Sequence, residues 1–387
     1  MKKAMIPYGK QDINQRDIDA VIEVLSSDWL TQGPKVPAFE QAIADKCQAK
    51  FAIAVNSATS ALHIANLALN VGKGDIVWTS PITFVASANC ALYCGAKVDF
   101  VDIDLSTGNL SIQALQEKLI SAKNNNCLPK VVIAVHLAGQ SCDMAAIFKL
   151  SQQYHFNIIE DASHAIGGQY QNTPIGSCQY SDITVFSFHP VKIVTSAEGG
   201  IALTNNAEIA KNMGLYRSHG ITADPNDMTE PSHGPWYYQQ LALGYNYRMT
   251  DLQAALGLSQ LNRLEEFIET RNTLAHYYDQ AFCQSTIAPL MPTENCLSAY
   301  HLYVILLPEA DSEKHKQAII TLRAQGIFAQ VHYIPVHLQP YYQNFGFKQG
   351  DFPHAEQYYQ RAISLPLYPQ LTQQEQDYII EKVKEII

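Results

Sequence analysis

The sequence predicts an α/β protein: a large domain on a mostly parallel sheet, then a smaller α+β domain. Three observations carry that expectation. Between residues 51 and 204, short apolar runs alternate with helical patterns, the signature of parallel strands joined by right-handed crossovers. At 387 residues the chain is long enough for one large and one smaller domain. Hydrophobic residues make up 47% and charged residues 16%, a composition that buries a core rather than staying disordered.

The elements follow in order. Ile18, Val21, Ile22 and Leu25 have helical spacing within 12–27. The loop WLTQGP at 29–34 mixes an aromatic with turn residues, and a second short helix is expected over 36–46. An apolar strand at 51–55 feeds NSATS at 56–60 and a helix over 61–69. Further strands are expected at 75–79, 97–101, 131–135 and 156–160, with helices at 81–93, 111–121 and 143–154 between them. A strand at 201–204 and a helix at 208–216 follow the stretch SDITVFSFHPVKIVTSAEGG at 181–200. Residues 221–240 are polar, proline-rich and aromatic-tipped, and read as a long surface loop. Thr250 and Asp251 open a helix expected to run to 278. A domain boundary near its middle divides the chain into 1–262, with an N-terminal arm, and 263–387. In the second part, strands are expected at 301–307 and 327–333, a helix at 313–325, and then two terminal helices.

Composition excludes several classes. A net charge of -10 and no long basic run argue against a nucleic-acid surface. No apolar stretch is long enough to span a bilayer, and the N-terminal MKKAMIPYGKQD lacks the apolar core of a signal peptide. Cys47, Cys90, Cys94, Cys127, Cys142, Cys178, Cys283 and Cys296 form no C-x-x-C pair. They indicate neither a zinc knuckle nor a disulfide framework, and they fit a reducing cytoplasm.

Ligands on open α/β sheets bind beyond the carboxyl ends of the strands. Asn56, Phe84, His136 and Asp161 fall at or just after those ends, so they are expected to share one crevice. Glu160 is expected to point the other way. Lys192 is the only Lys or Arg between Lys149 and Lys211, and it sits among Val191, Ile193 and Val194. Poor solvation lowers a lysine's pKa toward a usable nucleophile. Small hydroxylated residues at a helix start form a phosphate cradle, because free N–H groups and the positive dipole end face the anion. Each feature alone has a commoner use: an exposed turn lysine, a Ser/Thr cap, a capping aspartate. Together they match one cofactor, pyridoxal 5′-phosphate. An amine forms its Schiff base, a carboxylate holds its ring nitrogen protonated, a helix start binds its phosphate, and an aromatic stacks on its ring.

The chain resembles the DegT/DnrJ/EryC1/StrS sugar aminotransferases, of aspartate-aminotransferase fold type I, over nearly its whole length. The motifs are NSATSAL at 56–62, PITFVASAN at 81–89, EDASHAIG at 160–167, SFHPVK at 187–192, AEGG at 197–200 and GYNYRMTDLQAALG at 244–257. The resemblance implies that Lys192 carries the internal aldimine and shuttles the proton, and that Asp161 binds the pyridine nitrogen. It implies that Ala58, Thr59 and Ser187 bind the phosphate and that Phe84 stacks on the ring. His164 stands near the ring hydroxyl, where many relatives carry glutamine. Asn246 is implied to reach the phosphate of the partner subunit's cofactor, which makes the active unit a homodimer with shared sites. No metal is needed.

Within the family, the likeness is strongest to members serving pseudaminic acid biosynthesis. It rests on Tyr8, DWLT at 28–31, RSHG at 217–220 and QVHY at 330–333. It implies transfer from L-glutamate to C4 of a UDP-linked 2-acetamido-2,6-dideoxy-4-keto sugar. Tyr8, Asp28, Trp29, Leu30, Thr31, Gln330, Val331, His332 and Tyr333 are implied to line the sugar pocket. Arg248 is a candidate for phosphate or carboxylate recognition, or for a structural pair with an acid. Two rivals stand beside this reading. One is a 4-aminotransferase for another nucleotide-linked keto sugar, such as a UDP-4-keto-pentose or a bacillosamine precursor. The other is a non-catalytic regulatory protein that binds cofactor or sugar. The intact lysine, aspartate and phosphate set weighs against the second.

Overall fold

The computed structural model describes residues 5–386. The first four residues of the N-terminal stretch read above lie outside them. At the centre is a seven-stranded sheet. Its strands are β1 (Phe51–Val55), β2 (Ile76–Thr79), β3 (Lys97–Phe100), β4 (Val131–Val135), β5 (Asn157–Asp161), β6 (Ile183–Ser187) and β7 (Gly200–Thr204), in the spatial order β1-β7-β6-β5-β4-β2-β3. β2 to β6 pair in parallel, and β7 runs antiparallel to both of its neighbours, β1 and β6. Such strands are buried on both faces and so read as continuous apolar runs.

Side chains alternate between the faces. Val131 and Ile133 of β4 pack with the helices α3 (Ala58–Ala68) and α4 (Ala86–Tyr93). Val132 and Ala134 pack with α5 (Ile112–Asn124) and α6 (Met144–Tyr154). Farther along that second face, Phe186 and Ile201 meet α2 (Lys35–Cys47) and α8 (Asp251–Leu261). The helix α7 (Ala207–Arg217) packs against α3.

A separate apolar cluster gathers Tyr278 and Phe282 of α9 (Leu264–Phe282) with β8 (Tyr303–Leu306) and β9 (Ala362–Leu365). It also takes in α10 (Ser312–Ala324) and α13 (Gln373–Ile386). Between them lie the short helices α11 (Pro340–Gln343) and α12 (Pro353–Tyr359). The N-terminal arm joins this cluster through Ile6 and pairs in parallel with Ile327–Phe328. No helix among the described residues is long and apolar enough to cross a membrane.

Several expectations need correction. The helix expected from Thr250 to 278 is two helices, α8 and α9, broken at Asn262 and Arg263. At the break, Arg263 turns back to Asp12 at 2.8 Å and Asp17 at 2.7 Å. The strand expected over 327–333 stops at Phe328, because the Gln330 backbone leaves the arm and pairs with Ser364 of β9. That strand, β9, lies where only helices were expected. The loop at 221–240 is pinched at its base by Ile221–Thr222 pairing with Gln239–Gln240. In the first helix, α1 (Gln15–Leu25), the buried residues are Asp17 and Val24. Its apolar Ile18, Ile22 and Leu25 are 44%, 52% and 59% exposed, and Trp29 and Leu30 beyond them are 56% and 50% exposed.

Candidate active site

The carboxyl ends of β5 and β6 and the start of α3 surround a cavity of about 410 Å³. One corner is built by β1 feeding α3. Ser57 is extended and caps the helix, its Oγ accepting from Ser60 N at 3.1 Å. That leaves Ala58 and Thr59 in the first turn, lining the cavity with Ser57 and with Ser187 from the end of β6. Early helix N–H groups have no partner within the helix and favour an anion. Gly200 at the head of β7 lies against this turn, where a methyl group would collide with the backbone of Ser57 and Ala58.

Asp161 ends β5 and is 6% exposed. Its Oδ2 accepts from Ser87 Oγ at 2.5 Å, and its Oδ1 accepts from Ser163 Oγ at 2.6 Å and Ser163 N at 3.2 Å. Ser87 is held in turn by Thr83 at 2.7 Å. These neutral donors orient the carboxylate and leave its charge available to a cation in the cavity. Lys192 follows in the turn after β6, its N–H donating to the His189 carbonyl at 2.9 Å. The side chain is half-buried beside buried Ile193 and Val194. Burial lowers its pKa to about 8, against an opposing pull from Asp161. An amine of that basicity is partly deprotonated near neutral pH, and deprotonation is what attack on a carbonyl requires.

The far wall consists of rings. His164 Nε2 and Tyr333 Oη are 3.1 Å apart. Burial, then Lys192 and His332, hold His164 well below the usual histidine range. Burial, then Lys192, lowers His332 to about 3. Burial also raises the Tyr333 phenol, so Tyr333 stays protonated and His164 neutral. Phe84 is 59% exposed at the rim, its ring 6.3 Å from that of Tyr333.

The cavity therefore brings together Tyr8, Ala58, Thr59, Phe84, Asp161, His164, Ser187, Lys192, His332 and Tyr333 from the sequence reading. Others are not brought in. His136 does not join the crevice: it is fully buried on the opposite side, with Nε2 2.7 Å from Glu160 and Nδ1 accepting from Cys142 N. A strand-end position did not specify which face its side chain takes. Asn56 turns its carboxamide to Ser60 Oγ at 2.7 Å. Gln330 Oε1 accepts from Arg323 at 3.1 Å, and neither it nor Val331 lines the cavity. Asp28, Trp29, Leu30, Thr31 and Asn246 are exposed, and Arg248 bridges Val55 through its backbone; none of them lines the cavity of its own chain. The sequence reading missed His301, Thr83, Ser87 and Ser163. For Ser87, a signal was present: Thr83 and Ser87 stand four apart in PITFVASAN.

Comparison with known proteins gives a consistent picture. Residues 11–384 match the model of the DegT/DnrJ/EryC1/StrS aminotransferase family. The chain is 40% identical over 387 residues to the Bacillus subtilis spore coat polysaccharide biosynthesis protein SpsC, covering 99% of this chain and 97% of that one. It is 37% identical over 390 residues to a Campylobacter jejuni UDP-4-amino-4,6-dideoxy-N-acetyl-beta-L-altrosamine transaminase, covering 98% and 99%. Among solved structures, Helicobacter pylori PseC, described as an aminotransferase involved in the biosynthesis of pseudoaminic acid, superposes with a TM-score of 0.89. It is 34% identical and covers 99% of each chain.

Proposed function

The chain belongs to the DegT/DnrJ/EryC1/StrS aminotransferase family, and from that premise we propose that it moves the amino group of L-glutamate to C4 of a UDP-2-acetamido-2,6-dideoxy-4-keto-hexose, with pyridoxal 5′-phosphate as cofactor. The observation that carries the proposal is Lys192, with its lowered pKa, sharing one cavity with Asp161 and the α3 cradle.

The residues fit the cofactor. Gly200, lacking a side chain, lets the head of β7 pack directly on the Ser57–Ala58 turn that forms the cradle. Ala58, Thr59 and Ser187 hold that phosphate, Phe84 covers a ring face, and His164 stands by the ring hydroxyl. Asp161, with only neutral donors on its oxygens, supplies the negative charge that keeps a ring nitrogen protonated. When bound, the cofactor supplies an electron sink for a carbanion at the reacting carbon. Lys192 Nζ takes the proton from the α-carbon of glutamate in the first half-reaction and delivers a proton to C4 of the sugar in the second. The two substrates alternate in one cavity, a ping-pong order. Tyr8, His332 and Tyr333 face the sugar. A second copy of the chain would cover exposed Ile18, Ile22, Leu25 and Trp29 and bring Asn246 to its partner's site. We place the reaction in the cytoplasm, in keeping with eight cysteines that are all free.

The test is to offer the enzyme each 4-keto sugar nucleotide with L-glutamate. Turnover of the 2-acetamido-2,6-dideoxy-4-keto-hexose, absent in Lys192→Ala, supports the proposal. Turnover of a UDP-4-keto-pentose or the bacillosamine precursor alone moves the acceptor to that sugar. The 40% identity to a spore coat polysaccharide protein makes a different acceptor the reading to test against.

A further inference from the structure

The ring wall beyond Lys192 continues past the residues used above. Neighbouring ring centres are 5.1 Å apart from Tyr8 to His332, 5.0 Å from His332 to Tyr333, 6.1 Å from Tyr333 to His164 and 4.4 Å from His164 to His301. His301 ends this row. It lines the cavity and is 5% exposed.

Its hydrogen bonding sets it apart. The other buried histidines all have a partner: His63 on Tyr247, His136 on Glu160, His164 on Tyr333, His315 on the Ala362 carbonyl, His332 on Ser364 and His337 on Glu356. His63 Nε2, His164 Nδ1 and His337 Nδ1 are also buried without a partner, but each of those rings is bonded at its other nitrogen; His301 Nδ1 is buried with no partner, and neither of its ring nitrogens is bonded among the described residues. A buried polar group without a bond is costly, so native structures rarely keep one without a reason.

The chain nonetheless clamps this ring in place. Tyr300, just before it, is held at φ +43, a left-handed conformation that strains a bulky residue. Ser298 Oγ accepts from Tyr300 N at 3.1 Å. Arg271 is 1% exposed, and its guanidinium donates to the carbonyls of Tyr300 at 3.1 Å and His301 at 3.4 Å. On the other side Gly139, at φ +108, leaves room that a methyl would fill, 2.7 Å from Tyr300 N and 2.9 Å from His301 N. Burial, then Lys192, His164, Arg271 and His332, hold the imidazole well below the usual range. The ring is therefore neutral, with one donor and one acceptor.

We propose that His301 is a substrate-contacting residue: its imidazole hydrogen-bonds an oxygen next to the carbon that is brought to Lys192. The inference deepens the functional reading above and rests on it. The shared chemistry is an oxygen acceptor, supplied in one half-reaction by the carboxylate of the amino acid and in the other by a hydroxyl of the keto sugar.

The test compares His301→Phe, which keeps a ring against His164, with His301→Gln, which restores a donor and an acceptor. Melting temperature and the visible band of pyridoxal-phosphate-loaded protein report folding and cofactor uptake. Calorimetric affinity for 2-oxoglutarate, and the affinity for L-glutamate and for the UDP-keto sugar in separate half-reactions, report the contact. His301→Phe is expected to fold, load the cofactor and bind at least one substrate roughly 10-fold to 100-fold more weakly, with His301→Gln recovering most of the loss. Loss confined to glutamate and 2-oxoglutarate supports the carboxylate as the oxygen, and loss confined to the sugar supports the hydroxyl. Wild-type affinity in both arms for His301→Phe overturns the proposal, as does equal impairment of the two variants. If His301→Phe does not fold, His301→Asn replaces it, its shorter amide leaving the contact unmade; wild-type affinity then overturns the proposal. A wild-type protein that takes up no pyridoxal phosphate contradicts the functional reading itself, and the role of His301 falls with it.

Discussion

Lys192 is a cation kept where water solvates it poorly, and that has a thermodynamic consequence. Its folded pKa of about 8 lies below the usual 10.5. Between those values the unfolded chain binds more protons than the folded one, so stability rises with pH there. The penalty for folding around the charge is full below pH 8 and gone by pH 10.5. Lys192→Met should therefore melt above the cofactor-free wild type at pH 7, and the gap should close as the pH is raised through that window. A gap unchanged with pH would show that the lysine is well solvated. Lys192 was legible in the sequence because it stands alone among apolar residues, and Asp161 because it follows an apolar strand. His301 was not, because its place in the site comes from Gly139, Arg271 and His164, all remote in sequence.

At the end of β5 two neighbouring carboxylates take opposite faces, as strand alternation requires. Asp161 faces the cavity. Glu160 faces away, accepting from Ser181 and Thr184 and pairing with His136. The Cys142 N–H on Nδ1 fixes His136 as the neutral tautomer that donates Nε2–H to Glu160. Burial alone would raise Glu160, but His136, Ser181 and Thr184 hold it below the usual range. For the glutamate, the stabilisation is present above pH 4.5 and lost as the pH falls. Glu160→Ala, which strands a buried imidazole donor, should destabilise the protein by about 1–3 kcal/mol. Asp161→Asn should change stability by less than about 1 kcal/mol yet lower kcat at least about 100-fold. Denaturant unfolding and steady-state rates check both, and equal stability losses would contradict the division of labour. The strand pattern made the alternation of Glu160 and Asp161 readable. It could not place His136, whose face depends on how β4 ends, nor find the break between α8 and α9, which Arg263 makes by reaching back to Asp12 and Asp17.

For the whole molecule, the periodicity of α1 was legible but not its orientation, because the apolar stripe faces out of the single chain. Ile18, Ile22, Leu25, Trp29 and Leu30 form an exposed apolar surface of the kind a partner covers. If Asn246 serves the site of a second copy, inactive Lys192→Ala and Asn246→Ala proteins should complement each other. Mixed after dissociation, they pair an intact Lys192 with an intact Asn246 in one site of each heterodimer, and activity should return. No recovery in verified heterodimers would place Asn246 in its own chain's chemistry or outside the chemistry altogether. The central claim is that Lys192 is the amine that holds the cofactor and moves the proton in each half-reaction. Its most direct test is the visible absorption of pyridoxal-phosphate-loaded protein titrated with L-glutamate, beside Lys192→Ala. The account predicts a yellow band that glutamate bleaches in the wild type and that the variant never forms in the same way. A band unaffected by loss of Lys192, or a wild type with no band, would contradict it.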